Sequence, residues 1–234
     1  MTGERELTVV EPTAMRRAIA RRMSDSKRDA PHFYVSAEAS VDRALEEAER
    51  TADGAGTRVT LTACLVRAAA AALVVHPAFN AVWTPEGLAR SSSVNVGVAV
   101  ALEGGLIAPA LLDADRLDLR ETAVALADLV SRARAGKLRS TEVTEATFTV
   151  SNLGMFDVTS FIAIVTPPQV AILAAGTVQR LPRYDGDDLV ARQVIELTLS
   201  ADHRAVDGAE AARFLQTLVQ ELEEPPAKKT VKGA

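Results

Sequence analysis

The chain has 234 residues, 48% of them hydrophobic but only 4% aromatic, with a formal net charge of −5, so a sizeable core has to be built mainly from Ala, Val, Leu and Ile. At this length a chain buries roughly 70–75% of its unfolded surface, as one large domain or two small ones, and its dispersed acidic balance argues against a nucleic-acid binder. A single cysteine, Cys64, excludes an internal disulfide framework and suits a reducing cytoplasm, while the charged start and the longest apolar run, 68–75, fit neither a signal peptide nor a membrane span.

Residues 1–12 read as an arm, a charged start followed by the apolar run Leu7–Val10, which needs something to lie on; a neighbouring subunit is one candidate. Thr13 is placed to cap a helix over Ala14–Ser26 with Met15, Ile19 and Met23 on its apolar face. Arg16, Arg17, Arg21 and Arg22 occupy the other faces, as a solvated surface or, alternatively, a phosphate site. Asp29-Ala30-Pro31 stops that helix. His32–Ser40 alternates as a strand, with His32 packed or hydrogen-bonded rather than a ligand. Val41–Ala52 is a predicted helix running into the flexible segment 51–56, and Thr62–Val75 a second, Ala-rich one that holds Cys64 as a buried, inert thiol.

A strand-rich block follows at Ala81–Trp83, Leu88–Arg90, Val94–Ala101 and Leu106–Leu111, the last two joined through Glu103-Gly104-Gly105. Leu119–Ala135 is an amphipathic helix with Gly136 at its end. Thr147–Ser151 is a strand running into Asn152-Leu153-Gly154, and Phe161–Val165 and Val170–Thr177 are apolar runs on either side of Thr166-Pro167-Pro168. A hairpin around Asp185-Gly186 leads into Leu189–Leu199, and a last helix covers Ala209–Leu222 before a polar tail, 223–234, read as disordered. Helices and strands mix without strict βαβ alternation. The expectation is an α+β fold, a mixed β-sheet with flanking helices, with 13–222 as one domain between arm and tail.

The polar turn in LSADHRAVDGAEAARFL (199–215) joins a strand to a helix and carries His203 and Asp207 four residues apart. An imidazole held there can act as a general base, since its ordinary pKa lies near working pH; alternatively Asp207 merely caps the helix and His203 is a surface residue. Metal chemistry has little support, with three histidines and no paired cysteines. Ser151 sits in VSNLG, which lacks the first glycine of a nucleophile elbow, and neither a dinucleotide fingerprint nor a Walker loop is present. A base plus a fixed hydroxyl is what acyl transfer to a thiol requires, one to deprotonate the thiol and the other to hold the oxyanion.

Eight segments in order resemble the catalytic domain of the dihydrolipoamide acyltransferases, the core components of 2-oxo acid dehydrogenase complexes. They include MRRAIARRMSDSK (15–27), PHFYVSAEASVD (31–42), HPAFNAVW (76–83), VNVGVAVALEGGLIAPAL (94–111), ARAGKL (133–138), TFTVSNLGMF (147–156), TPPQVAILAAG (166–176) and SADHRAVDGAEAARFL (200–215). The resemblance implies a fold like chloramphenicol acetyltransferase, built as homotrimers with active sites at subunit interfaces. It implies His203 as the base toward the coenzyme A thiol, Asp207 as an orienting residue and Ser151 as the oxyanion donor from the neighbouring subunit. It also implies Arg50, Thr60, Ser151, Asn152 and Gly176 as contacts to coenzyme A, with no metal.

Three departures from that pattern shape the expectations. No lipoyl or peripheral subunit-binding domain lies ahead of the catalytic segments, so the lipoyl group is expected on another domain or chain. Glu145-Ala146 replaces a usual Gly-Gly, and the C-terminal end, EEPPAKKTVKGA, lacks the apolar segment that docks trimers together, which predicts a trimer rather than a shell. Two alternatives remain: a free-standing coenzyme A-dependent acyltransferase with another acceptor, whose relatives show HHxxxDG where this chain has Asp202-His203, and a non-catalytic scaffold of a dehydrogenase complex.

Overall fold

Two strands of 15 residues run through the centre of the molecule and place every candidate residue relative to them. The computed structural model describes residues 7–52 and 58–225; residues 1–6, the loop 53–57 and the tail 226–234 lie outside. In chain order the elements are α1 (Ala14–Asp29), β1 (His32–Ser40), α2 (Asp42–Ala52), α3 (Leu61–Val75), β2 (Ala81–Thr84), β3 (Gly87–Arg90), β4 (Val96–Val98), β5 (Val100–Leu102), β6 (Gly105–Ile107) and β7 (Ala110–Leu111). Then follow α4 (Leu119–Arg134), α5 (Ser140–Thr144), β8 (Phe148–Asn152), β9 (Ala171–Asp185), β10 (Asp188–Asp202) and α6 (Gly208–Glu223).

The main sheet has six strands in the order β1-β10-β9-β8-β4-β7. β8 is parallel to both β9 and β4, and the remaining pairs are antiparallel, so the sheet is mixed as expected. The two-residue period of a strand divides it into unlike faces. Phe33, Val35, Leu173, Ala175, Leu197 and Leu199 lie with the helix-packed core. Ser36, Thr198, Ala174 and Ser151, which are register partners across four strands, fall on the opposite face.

Helix α3 covers the apolar face and is buried on several sides, with Leu65, Val66 and Leu73 as well as alanines from Ala63 to Ala72 in the core. Its Cys64 is buried, and the loss of solvent pushes the thiol up to about 11, the inert state expected of it. α6 packs beside α3, and its Phe214 stacks on Phe79, just beyond the end of α3, with ring centroids 4.5 Å apart. α1 lies elsewhere. Its half-buried face is Met15, Ile19, Met23 and finally buried Ser26, so the predicted stripe holds and the helix runs three residues further, to Asp29.

Two predicted strands are broken. Val94–Ala101 becomes β4 and β5, and Leu106–Leu111 becomes β6 and β7, with β5–β6 forming a separate two-stranded ribbon. Pro109 has no N–H to continue a ladder, and its carbonyl instead accepts from Val98 N. The apolar run Phe161–Val165 forms no strand at all. Gly97 shows why β4 can sit where it does: a Cβ there would lie 2.9 Å from Thr149 Oγ1 on β8.

Candidate active site

His203 leaves the end of β10 as the chain turns toward α6, and that turn is anchored through its neighbours. Asp202 is 2% exposed. Its carboxylate accepts from Arg204 N (3.0 Å), Nε (3.0 Å) and Nη2 (2.6 Å), and this pairing raises the Arg204 guanidinium further above its ordinary value. Arg204 also lies over the Trp83 ring, 4.9 Å from its centroid, a cation–π contact. The Asp202 carbonyl accepts from Ala205 N and Val206 N, which closes the turn, and His203 N donates to Pro31 O (3.0 Å). The imidazole itself is exposed, with its ring 4.7 Å from that of Phe33.

Asp207 does what the bland reading of it required. It is the N-cap of α6 in a reciprocal capping box: Oδ1 accepts from Glu210 N (2.8 Å) and Glu210 Oε2 accepts from Asp207 N (2.8 Å). Among the described residues its carboxylate makes no hydrogen bond to His203. Any orienting effect on His203 is therefore exerted through the backbone of the turn.

Ser151 lies on β8, buried at 9% exposure, and no side-chain hydrogen bond among the described residues involves its Oγ. Its neighbours are tightly organised. Asn152 Nδ2 donates to Thr62 Oγ1 (3.1 Å) and Asn152 Oδ1 accepts from Gly154 N (2.8 Å), which fixes the amide orientation. Thr60 caps α3 with Oγ1 toward Ala63 N. Gly176 follows Ala175, the register partner of Asn152, and is pressed against the 158–159 backbone: a Cβ there would lie 1.8 Å from Thr159 O. The structure thus groups Thr60, Ser151, Asn152 and Gly176 at one end of β8, β9 and α3. Arg50 is exposed on α2, its Nε on Glu46 O (3.3 Å), and no hydrogen bond joins it to that group among the described residues.

Among the N-terminal arginines, Arg16 and Arg22 dock α1 onto other segments, while Arg17 bonds the chain just ahead of the helix. Arg16 donates to Gly104 O (3.2 Å), Arg17 to Pro12 O (2.6 Å) and Arg22 to Pro167 O (2.5 and 3.2 Å). Their use as a phosphate site is not what these bonds show.

His203 and Ser151 are not brought together within one chain. Ser151 pairs with Ala174, and Ala174 with Thr198, whereas His203 follows the last residue of β10. The two therefore differ by five residues along the strand direction and by two strand spacings across it, on the order of 15–20 Å. The sequence reading did not single out the buried Asp202–Arg204 pair or its Trp83 partner. An Asp and an Arg two apart in a tight turn were the available signal.

With this geometry in hand, the relatives are informative. The fold is that of chloramphenicol acetyltransferase, which superposes with a TM-score of 0.59 at 13% identity over 87% of this chain and 94% of its own, a likeness of fold alone. The chain belongs to the 2-oxoacid dehydrogenases acyltransferase (catalytic domain) family, matched over residues 4–228. It is 35% identical, over 96% of its length, to the dihydrolipoyllysine-residue acetyltransferase component of the acetoin cleaving system of Bacillus subtilis, covering 58% of that protein. With the corresponding pyruvate dehydrogenase component of Zymomonas mobilis it shares 36% identity over 90% of its length, covering 49% of that protein. The chain thus spans about half the length of the curated relatives it matches. Among solved structures, Azotobacter vinelandii dihydrolipoamide acetyltransferase superposes with a TM-score of 0.89 at 31% identity, covering 94% of this chain and 92% of its own. That structure was determined in a study of one serine, one histidine and one asparagine in the catalytic mechanism. Among the described residues no helix is long and apolar enough to cross a membrane, and no cluster of potential metal ligands occurs.

Proposed function

We propose that this chain transfers an acyl group reversibly between dihydrolipoamide and coenzyme A, with His203 as general base and Ser151 as oxyanion donor. The imidazole takes the proton of the coenzyme A thiol, and the thiolate attacks the carbonyl of the acyl-lipoyl thioester. The tetrahedral oxyanion accepts a hydrogen bond from the Ser151 hydroxyl. Collapse breaks the carbon–sulfur bond to the lipoyl group, whose sulfur recovers the proton from the imidazolium. Thr60, Asn152 and Gly176 hold coenzyme A beside Ser151, and exposed Arg50 is available to its phosphates. The lipoyl group arrives on another domain or chain.

The observation that carries this reading is a coincidence of spacing with a separation in space. The serine, histidine and asparagine of the Azotobacter vinelandii enzyme are separated by 52 and then four residues, as Ser151, His203 and Asp207 are here. Within one chain, however, the first two lie too far apart to touch one reacting atom. A site completed by the next subunit of a homotrimer resolves the conflict, and it places the third residue, Asp207 here rather than asparagine, in the turn that presents the base. Asp202 favours the lipoamide acceptor over the HHxxxDG relatives, because a buried carboxylate bound to Arg204 has no counterpart in a histidine. Membership of a dehydrogenase complex fits the names of the relatives, and a cytoplasmic location is our reading from the single cysteine.

Complementation between chains tests the shared site. His203→Ala and Ser151→Ala proteins, each inactive, are dissociated, mixed and reassembled, and acyl transfer from acyl-CoA to dihydrolipoamide is followed. Random mixing is expected to restore about a quarter of the wild-type sites, since a heterologous interface pairs each histidine with the neighbour's serine. No recovery above either parent would overturn the intersubunit assignment, and an inactive wild type across an acyl-CoA panel would overturn the reaction.

A further inference from the structure

His203 carries its backbone bond and its ring contact on one short shelf, Pro31 to Phe33, and the residue in the middle of that shelf is His32. We infer that His32 is a positioning residue for His203, its neutral imidazole tying the shelf to Val165 in the irregular segment between β8 and β9. The inference rests on the reading of His203 as the base and assigns a residue that acts through it.

Each ring nitrogen of His32 has one partner, and the partners differ in kind. Nδ1 lies 2.8 Å from Ala30 O, a group that only accepts; Nε2 lies 3.1 Å from Val165 N, a group that only donates. A neutral imidazole can satisfy both in one tautomer alone, with the proton on Nδ1 and the lone pair on Nε2. An imidazolium would set two N–H groups against each other at Val165, and the other tautomer would set two acceptors together at Ala30 and two N–H groups at Val165. The bonded geometry therefore selects one tautomer, with Nδ1 as donor and Nε2 as acceptor.

The far end of the tie is fixed. Val165 is 1% exposed, and its carbonyl accepts from the hydroxyl of Ser26, also 1% exposed, at 2.6 Å. Both polar groups of one buried residue are thus spent on holding α1 and the shelf against the same segment. Four and five residues on, the segment is tied in again where Thr149 Oγ1 donates to Gln169 Oε1 (2.7 Å) and Asp202 N donates to Val170 O (2.9 Å). A loop closes from His203 through Pro31, His32, Val165 and Val170 back to Asp202. Removing His32 opens that loop at its middle while leaving the Asp202–Arg204 pair and the Phe33 contact formally in place.

The test separates positioning from simple folding and from the reaction itself. In 15N-histidine-labelled protein the three histidines are assigned by single replacement, and long-range 1H–15N spectra near pH 7.5 report each tautomer. His32 is expected to show the proton on Nδ1. His76 supplies an internal contrast: its Nε2 faces Thr217 Oγ1 (2.8 Å), a hydroxyl already donating to Arg213 O (3.1 Å), so its proton is expected on Nε2. In His32→Leu the His203 resonances should move, kcat should fall about tenfold, and both KM values should stay within about twofold. His32→Gln, whose amide oxygen can still accept from Val165 N, should recover most of that loss.

A wild-type His32 with its proton on Nε2 overturns the inference whatever the activity, as does an unmoved His203 resonance in His32→Leu. Equal losses in the Leu and Gln variants also overturn it, because the acceptor would then not be what matters. If His32→Leu does not fold, the wild-type tautomer and the Gln variant still decide. If the protein transfers no acyl group, the spectra still decide the positioning claim while the reaction assignment fails separately.

Discussion

The two corners of the proposed site are built on opposite plans. At the His203 corner the backbone is held by Asp202, Pro31 and Val170, while the functional side chain projects into solvent. At the Ser151 corner the functional side chain is itself buried on a central strand, and its surroundings are close backbone approaches at Gly154 and Gly176. The difference matches what each group has to do. A base exchanges protons and needs access together with a fixed origin. An oxyanion donor is effective only if it is already oriented before charge develops, so it belongs where nothing can relax.

The largest effects should come from removing the groups themselves, and their ratio tests the contrast. His203→Ala is expected to lower the rate roughly 10²–10⁴-fold and Ser151→Ala about 10²–10³-fold, with the fold of both variants unchanged by circular dichroism. Exposed His203 should leave stability untouched. Near-normal turnover in both variants would remove the mechanism.

Gly176→Ala should follow. Its Cβ would meet Thr159 O at 1.8 Å and Val158 O at 2.9 Å, and both are backbone atoms that cannot swing aside. Overpacking of this kind costs about 3 kcal/mol, read as a lower denaturation midpoint. Because Gly176 adjoins Asn152 through Ala175, the KM for coenzyme A should rise more than the KM for dihydrolipoamide. A variant as stable as the parent, with both KM values unchanged, would show the Ser151 corner to be looser than the close contacts indicate.

The legibility of these features follows the range of the interactions that make them. α1 was readable to within three residues because its stripe at Met15, Ile19 and Met23 and its cap at Thr13 are local patterns. The hairpin at Asp185-Gly186 was readable for the same reason: Gly186 takes φ +63, as such turns demand. The fates of Val94–Ala101 and Phe161–Val165 were not readable. Whether an apolar run joins a sheet depends on which strand lies beside it, which is not encoded in the run; Pro109, inside Leu106–Leu111, was the one local sign of a break. α5, five residues held by the Arg132–Glu142 pair and by Arg139 N on Glu142, is too short to show a period. For the site, the segments resembling the acyltransferases picked out His203, Ser151, Asn152 and Gly176. The distance between His203 and Ser151 within one chain came only from the summed register of three strands.

The smallest expected effect probes the His203 corner through a residue that never needs to touch substrate. Asp202→Asn keeps the size of the side chain and an oxygen that can still accept from Arg204 N and Nε. It removes the charge and turns an N–H toward Arg204 Nη2, where a 2.6 Å charge-assisted bond now stands. Losing one such bond costs about 1.5–2 kcal/mol, and Arg204, about one-third exposed, can recover part of this from water. Stability should therefore fall modestly, while kcat falls more than stability alone explains, by roughly three- to tenfold, since the adjacent residue is the proposed base. Arg204→Lys gives the complementary reading: it keeps a charge but loses the fork and the planar stacking on Trp83, so it should resemble Asp202→Asn in kcat. If both variants lost stability with kcat intact, the ion pair would be holding the end of β10 rather than aiming His203, and the fixed origin of the base would have to lie in the Pro31–Phe33 shelf alone.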